Sequence, residues 1–342
     1  MSVANHPPGQ SAMEESPQSH GAMKMLRNIV TTREFGILAF LLICSLLIGL
    51  LRPTFLTTDN ILNMGRQMAV TCIMAVAMTF LITAQELDLS VGSILGFCSM
   101  GMALLTKMFG VDLWISFALS ILAAVLLGVL NGVITTRGRI PAFITTLGTL
   151  YIIRGFTLLM SPWPVSQIDA PLFYDVFAGY VGPIPTQVLW MLGIVIVGHI
   201  AMTRTRFGYY VRATGSNKSA AILSGIPVNR IKVLCFVLTA VAAAFAGGIQ
   251  FAHLGSVNPT AGAGAELTVI AAVVIGGTAL FGGDGTIIGT FLGAALLTVI
   301  RNGLVQLGGE GRLQEAFLGA IIIIAVLIHT YLRRTPGGAA DK

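Results

Sequence analysis

The sequence predicts an all-α fold, a polytopic transmembrane helical bundle of about 10 spans with both termini cytoplasmic. Three observations predict it: the balance of apolar and charged side chains, the lengths of the apolar stretches, and the position of Lys and Arg between them. Of 342 residues, 55% are hydrophobic and 10% charged, and the mean hydropathy is +0.86. A soluble globule of this size needs more polar side chains to cover itself, so lipid must cover this one. The net charge of +6 does not point to nucleic acid, because the basic residues sit in gaps between apolar stretches and form no solvated face interleaved with aromatics. Cys44, Cys72, Cys98 and Cys235 all fall inside apolar stretches without metal-ligand spacing, which makes them small packing residues and excludes a metal centre or a disulfide framework.

A membrane helix needs roughly 17–25 mainly apolar residues, since each rises about 1.5 Å across a hydrocarbon core of about 30 Å. Ten stretches qualify, at about 36–51, 61–84, 90–109, 113–135, 140–160, 186–203, 231–252, 265–281, 285–308 and 314–332, of which the first and eighth are short. Residues 1–35, rich in Pro, Ser, Gln and His, read as a disordered cytoplasmic tail, residues 36–332 as the transmembrane domain, and residues 333–342 as a second cytoplasmic tail. The first span runs into Arg52-Pro53 with no small-residue cleavage site, as an uncleaved helix does. Positive charge sets the direction: with the N-terminus inside, fourteen of the twenty Lys and Arg residues fall on the cytoplasmic side, and the external loop at about 161–185 has none. Glycines four apart, Gly92 with Gly96 and Gly285 with Gly289 and Gly293, mark faces where helix backbones approach closely.

Three segments carry functional interest. Gln85-Glu86-Leu87-Asp88-Leu89-Ser90-Val91-Gly92-Ser93 places two carboxylates between the second and third spans, where ionisable groups are costly and either functional or paired. Glu86, Asp88 and Ser90 are therefore candidates for a translocation path or gate. The plainer reading has Asp88 or Ser90 capping the third span and Glu86 pairing with a base such as Arg137 or Arg139. Between the sixth and seventh spans, Ala213 to Pro227 predicts a two-turn helix at about 217–225. Ser216 or Asn217 caps it, left-handed Gly225 ends it, and Ala220, Ala221 and Leu223 are presented on the cytoplasmic side within a basic rim. That arrangement suits docking in a groove on another protein, with an amphipathic loop lying on anionic lipid as the alternative. The eighth span opens at Glu266, a further path candidate whose plainer role is to complement the helix dipole, and it ends among paired glycines that imply irregular backbone.

No catalytic set emerges. The histidines lie in the tail or near span ends, and no Lys follows a Gly as a phosphate-binding loop requires, so the chain carries no ATPase of its own and calls for no cofactor.

Taken together, Asp88-Leu89-Ser90-Val91-Gly92-Ser93, Ile140 through Thr149, Ala213 through Ile226, Glu266 through Gly293 and, more weakly, Asn302-Gly303-Leu304 resemble the permease subunits of ribose-type ABC sugar importers, in the same order from about residue 36 to 332. The resemblance implies a type II ABC importer-like bundle in the bacterial inner membrane. Its partners would be a second permease chain, identical or related, a cytoplasmic ATP-binding subunit and a periplasmic solute-binding protein. It implies that 217–225 is the coupling helix, with Gly215, Ser216, Asn217, Ala220, Ala221, Leu223 and Gly225 at the ATPase contact. The chain departs from the family at Gln85-Glu86, where small residues are usual. On the external side Arg52, Lys107 and Arg312 are candidates for docking the binding protein, the plainer reading being interfacial anchoring. The competing class is an ion-gradient-driven secondary transporter with Glu86 and Asp88 as its responsive pair.

Overall fold

The computed structural model describes residues 33–309 other than Gln167, together with residues 316, 319, 320 and 323. The chain begins with α1 (Arg33–Leu51), a 3-10 turn at Pro53–Leu56, and α2 (Thr58–Thr83). A turn and a short irregular segment lead to α3 (Val91–Phe109), closed by left-handed Gly110, and then to α4 (Leu113–Arg137). Asp112 caps α4 by accepting from the amides of Trp114 and Ile115. α5 (Ala142–Met160) follows directly on Pro141, whose fixed φ starts the helix.

Next come β1 (Val165–Ser166), α6 (Pro171–Ala178), β2 (Tyr180–Val181), β3 (Ile184–Pro185) and α7 (Thr186–Arg204). Then follow α8 (Arg206–Ser216), α9 (Lys218–Leu223), α10 (Val228–Leu254), β4 (Ser256–Val257), α11 (Ala265–Ile275) and α12 (Ile287–Gln306). The strands are two-residue clips: β1 pairs antiparallel with β4, Val165 opposite Val257, and β2 pairs with β3. Among the described residues eight helices are long and apolar enough to cross a membrane, so the chain is a multi-pass membrane protein. The tenth predicted span and both tails lie outside the described residues, apart from a few positions.

Helix α10 is the axis of the bundle, packed against α4, α2 and α3, while α2 is also held by α7, α12 and α11. The outer helices expose large apolar side chains, as with Leu46, Leu47 and Leu50 on α1, Leu122 and Leu126 on α4, and Ile152 and Leu159 on α5. The core between α2, α3 and α10 mixes small and sulfur-containing residues, among them Ala69, Cys72, Met74, Cys98 and Cys235, with large ones such as Phe80, Leu81, Ile94 and Phe236, all buried. The small residues let backbones approach closely, which provides cohesion where no hydrophobic force acts between helices.

The expected span at 265–281 is corrected. Its helix stops at Ile275 because Gly276-Gly277 follows, with Gly277 left-handed, and eleven residues at about 1.5 Å each cover only about half the hydrocarbon core. The rest is irregular backbone. After β4 the chain runs back along α3 until Ala261 and Gly262 lie against Gly96 and Gly92. A Cβ on Gly96 would stand 2.4 Å from the Ala261 carbonyl, and one on Gly92 would stand 2.2 Å from that of Gly262. Loop backbone at this depth needs partners within the protein, and Arg154 Nη1 of α5 donates to the Ala261 carbonyl at 3.1 Å. On the far side of α11, Gly289 and Gly293 of α12 pack so closely that a Cβ would come within 2.0 Å of the Gly276 carbonyl and 2.1 Å of the Ala272 carbonyl.

Candidate functional site

Two regions hold the polar chemistry, one at each end of the bundle. The end at which α4 and α7 finish in Arg137 and Arg204 is here called the basic end.

At the basic end, the 84–90 segment is tied down on every side. Gln85 takes a left-handed backbone, φ 66°, immediately after α2, a conformation that favours glycine. This chain places a side-chain-bearing residue there and accepts the strain. Glu86 pairs with Lys232 of α10 at 2.5 Å, not with Arg137 or Arg139 as expected, and both side chains are largely buried. Lys232 is thus a structural ion-pair partner, not a free basic residue of a loop. Asp88 is wholly buried, and its Oδ1 accepts from the amide and the hydroxyl of Ser90 at 2.7 and 2.6 Å. Ser90 Oγ in turn accepts from Asn131 Nδ2 of α4 at 2.9 Å. Burial raises the Asp88 carboxyl from its ordinary value to about 6, against the lowering effect of Ser90 and Asn131. Ser90 occupies the N-cap position of α3, but its side chain makes no capping bond, being engaged with Asp88 and Asn131.

The same end carries the predicted short helix. α9 is capped by Asn217, whose Oδ1 accepts from Ala220 N at 3.0 Å; Gly225, φ 78°, follows its end in the left-handed region, and Pro227 precedes α10. Ala220 and Leu223 are exposed, Leu223 at 89%. Ala221 is a correction: it is buried at 4% and packs inward, because adjacent residues on a helix point about 100° apart, so the exposed face is made by Ala220, Ile222 and Leu223. A helix the sequence reading did not assign, α8, precedes it. Thr205 caps it by accepting from Gly208 N, and Phe207 stacks on Phe80 of α2 at 5.6 Å. At the end of α8, Gly215 is buried so tightly that a Cβ would meet the Thr83 carbonyl at 1.8 Å and Gly283 N at 2.7 Å. Gly283 N itself donates to the Thr83 carbonyl at 2.9 Å. Ser216 abuts Gly283. The base of α9 is thereby locked to the end of α2 and to the irregular 276–286 segment.

At the opposite end lies a half-open cavity of about 780 Å³ with a mixed lining: polar side chains from the first half of α2 (Asn63, Arg66, Gln67, Thr71), Gln187 at the start of α7, Gln250 and His253 at the end of α10 and Arg301 of α12, the Gly262–Ala265 turn, and apolar side chains including Val70, Met74, Leu95, Ile249 and Leu267. Arg66 is fixed by donating to the Tyr180 hydroxyl and by lying over the Tyr180 ring, 4.8 Å from its centre. None of the four candidates for the path, Glu86, Asp88, Ser90 and Glu266, is part of this wall. Glu266 Oε1 accepts from Gly264 N at 3.2 Å, and its Oε2 lies where a Gly92 Cβ would come within 2.3 Å, so it braces the turn that precedes α11 against the start of α3. The polar wall residues were missed in the sequence, yet a signal was present: Arg66 and Arg301 fall inside predicted spans, where charge is expensive.

Of the external candidates, Lys107 Nζ donates to the Ser166 carbonyl at 2.7 Å and thus ties α3 to β1. Arg52 lines a shallow groove with Thr57, Asp59, Asn60 and Gln306. Arg312 lies outside the described residues. No group of three or more His, Cys, Asp or Glu able to hold a metal occurs among the described residues.

An apolar multi-helix bundle with a half-open cavity lined by polar as well as apolar side chains, and with irregular backbone packed beside it, has the architecture of a membrane permease for a polar solute. Residues 60–326 match the family described as branched-chain amino acid transport system / permease component, and the chain belongs to that family. It is 38% identical to the ribose import permease protein RbsC of Haemophilus influenzae, over 85% of this chain and 91% of that one, and 39% identical to RbsC of Escherichia coli K12, over 84% and 91%. It is 35% identical to the D-allose transport system permease protein AlsC of Escherichia coli K12, over 79% and 83%. No solved structure matches it.

Proposed function

We propose that this chain is the membrane-spanning permease subunit of an ATP-driven ABC importer in the bacterial inner membrane, providing the gated path for a sugar or sugar-like solute. The observation that carries the reading is the family match across residues 60–326, joined by relatives named as ribose and allose permeases. In this reading the basic end faces the cytoplasm, a separate ATP-binding subunit docks on α9, a solute-binding protein delivers its cargo at the opposite end, and a second permease chain completes the path. The exposed Leu223 supplies an apolar tip for such docking.

The contacts of Gly215 and Ser216 support a mechanical role. A displacement of α9 reaches the end of α2 and the 276–286 segment through backbone packing that has no slack, and these two elements lead straight to α11, α12 and the cavity. ATP-driven closure of the docked subunit would thus bias the bundle between its two access states. The ion-gradient alternative is not favoured: Glu86 is paired with Lys232, Asp88 is bonded to Ser90, and neither faces the cavity.

The test is co-purification followed by uptake in proteoliposomes. The tagged chain is expected to bring down an ATP-binding subunit, and uptake to stop when ATP is depleted. Leu223→Asp is expected to leave the bundle folded while uncoupling hydrolysis from import. Recovery of no ATP-binding subunit, with uptake abolished by an ionophore and indifferent to ATP, would overturn the proposal.

A further inference from the structure

A positive patch lies where α7 passes into α8. Between Asp175 and Glu266 the sequence holds no Asp or Glu, yet it carries Arg204, Arg206, Arg212, Lys218, Arg230 and Lys232. Lys232 is paired with Glu86, whereas Arg204 and Arg206 are exposed, and among the described residues neither pairs with a carboxylate.

The helices that hold these two residues fix where their charges stand. On α7, Val197 and Ile200 are 67% and 50% exposed, and Arg204 follows on the same face, so its guanidinium ends an exposed apolar stripe of a membrane-crossing helix. A long basic side chain in that position reaches the headgroup level of the bilayer. Arg206 opens α8 two residues later, and Tyr209 and Tyr210 stand three and four residues beyond it, the spacing of one helix face. Tyr209 is 67% exposed, and its ring lies 6.1 Å from that of Tyr210. The opposite face, Gly208, Val211, Thr214 and Gly215, is buried, and Phe207 stacks on Phe80 of α2, so α8 is held with its basic and aromatic face outward. Arg beside Tyr at the end of a span is the composition that settles in an anionic headgroup layer: the planar guanidinium takes two phosphate oxygens, and the phenol ring is at home between water and acyl chain.

Resting on the orientation given above, with the basic end in the cytoplasm, we propose that the face formed by Arg204, Arg206 and Tyr209 binds the phosphate headgroup of an anionic phospholipid of the cytoplasmic leaflet. The two guanidinium groups take the phosphate, and Tyr209 packs beside the glycerol. A zwitterionic lipid offers the same phosphate together with a cation that the unneutralised patch repels, so the site selects by net charge.

The test is native mass spectrometry of the full-length chain, taken from detergent and titrated with phosphatidylglycerol or with phosphatidylcholine. The wild-type chain is expected to bind phosphatidylglycerol the more tightly. Arg204→Gln and Arg206→Gln are each expected to weaken phosphatidylglycerol binding about fivefold and to leave phosphatidylcholine binding unchanged. Arg206→Lys keeps the charge and is expected to retain most of the preference. Arg137→Gln removes an equally exposed charge from the same end of the bundle, on α4, and is expected to change nothing. Excess inorganic phosphate is expected not to displace the lipid. Equal binding of the two lipids by the wild-type chain, which needs no variant to observe, overturns the proposal. So does unchanged phosphatidylglycerol binding in the Arg204→Gln, Arg206→Gln double variant, or an equal loss in Arg137→Gln. Displacement by phosphate would make the patch a site for free anions, and loss of the lipid on adding a co-purified ATP-binding subunit would give the face to that subunit; either result sinks the lipid site. If the lipid binds as expected while no ATP-binding subunit co-purifies, the importer reading falls and the lipid site stands.

Discussion

Replacing Lys232 by Met removes the cation from an ion pair that the bundle has taken largely out of solvent. The two side chains are 8% and 15% exposed, and Lys232 Nζ stands 2.5 Å from Glu86 Oε1. Removing one partner strands the other charge, which typically costs about 3–5 kcal/mol, whereas replacing both by neutral groups of similar volume is close to neutral. For a chain of this length, at the low end of the usual sensitivity of about 2 °C per kcal/mol, the single variant is expected to melt about 6–10 °C lower. Glu86→Gln combined with Lys232→Met is expected to recover most of that loss. The assay is intrinsic-fluorescence melting of the detergent-solubilised chain, read as a double-mutant cycle of Lys232→Met, Glu86→Gln and the pair. A double variant as unstable as Lys232→Met alone, or single variants that melt like the wild type, would refute the argument that the pair is a buried, self-compensating clamp between α10 and the 84–90 segment.

Other expectations follow from the same geometry. Gly289→Val places a side chain where a Cβ alone would come within 2.0 Å of the Gly276 carbonyl, so α11 cannot seat against α12, and the variant is expected to run as aggregate in size-exclusion chromatography. Asn217→Ala removes the cap of α9 and is expected to cost about 1 kcal/mol, visible as faster amide exchange at Ala220 and Ala221 while the melting of the bundle stays close to that of the wild type. Gln85→Gly relieves a left-handed backbone that costs a side-chain-bearing residue about 1–2 kcal/mol, so its melting temperature is expected to equal or exceed that of the wild type; a clear fall would count against strain at this position. Asp88, with its carboxyl raised to about 6 in the folded chain, adds stability that is fully present below its ordinary value of 3.8 and lost as the pH rises through about 6. The difference in melting temperature between wild type and Asp88→Asn is therefore expected to change between about pH 4 and pH 6 and to be flat above; a difference that does not vary with pH would contradict the burial of the group.

Composition, stretch length and charge placement by themselves determined that the chain lives in lipid, where most of its helices run, and that a two-turn helix lies between the sixth and seventh spans, because hydropathy and caps are local properties that no distant contact can reverse. Asn217 and Gly225 bound that helix as their chemistry requires. Partners across the fold were another matter. Glu86 and Lys232 are 146 positions apart, and nothing in a linear chain prefers Lys232 over Arg137 or Arg139. The eighth span looked continuous because Leu280 and Phe281 extend its apolar run, yet the glycines from Gly276 to Gly285 end the helix and let the segment reach Thr83 and Gly215. The site depended most on tertiary structure. Carboxylates between spans drew attention because they are costly, but folding buries them away from the cavity, Glu86 against Lys232 and Asp88 against Ser90, while Gln187 and Gln250, unremarkable at the ends of their helices, converge from α7 and α10 onto one wall with Arg66 and Arg301. A cavity is a relation among elements distant in sequence, so only their packing could decide which polar side chains face it.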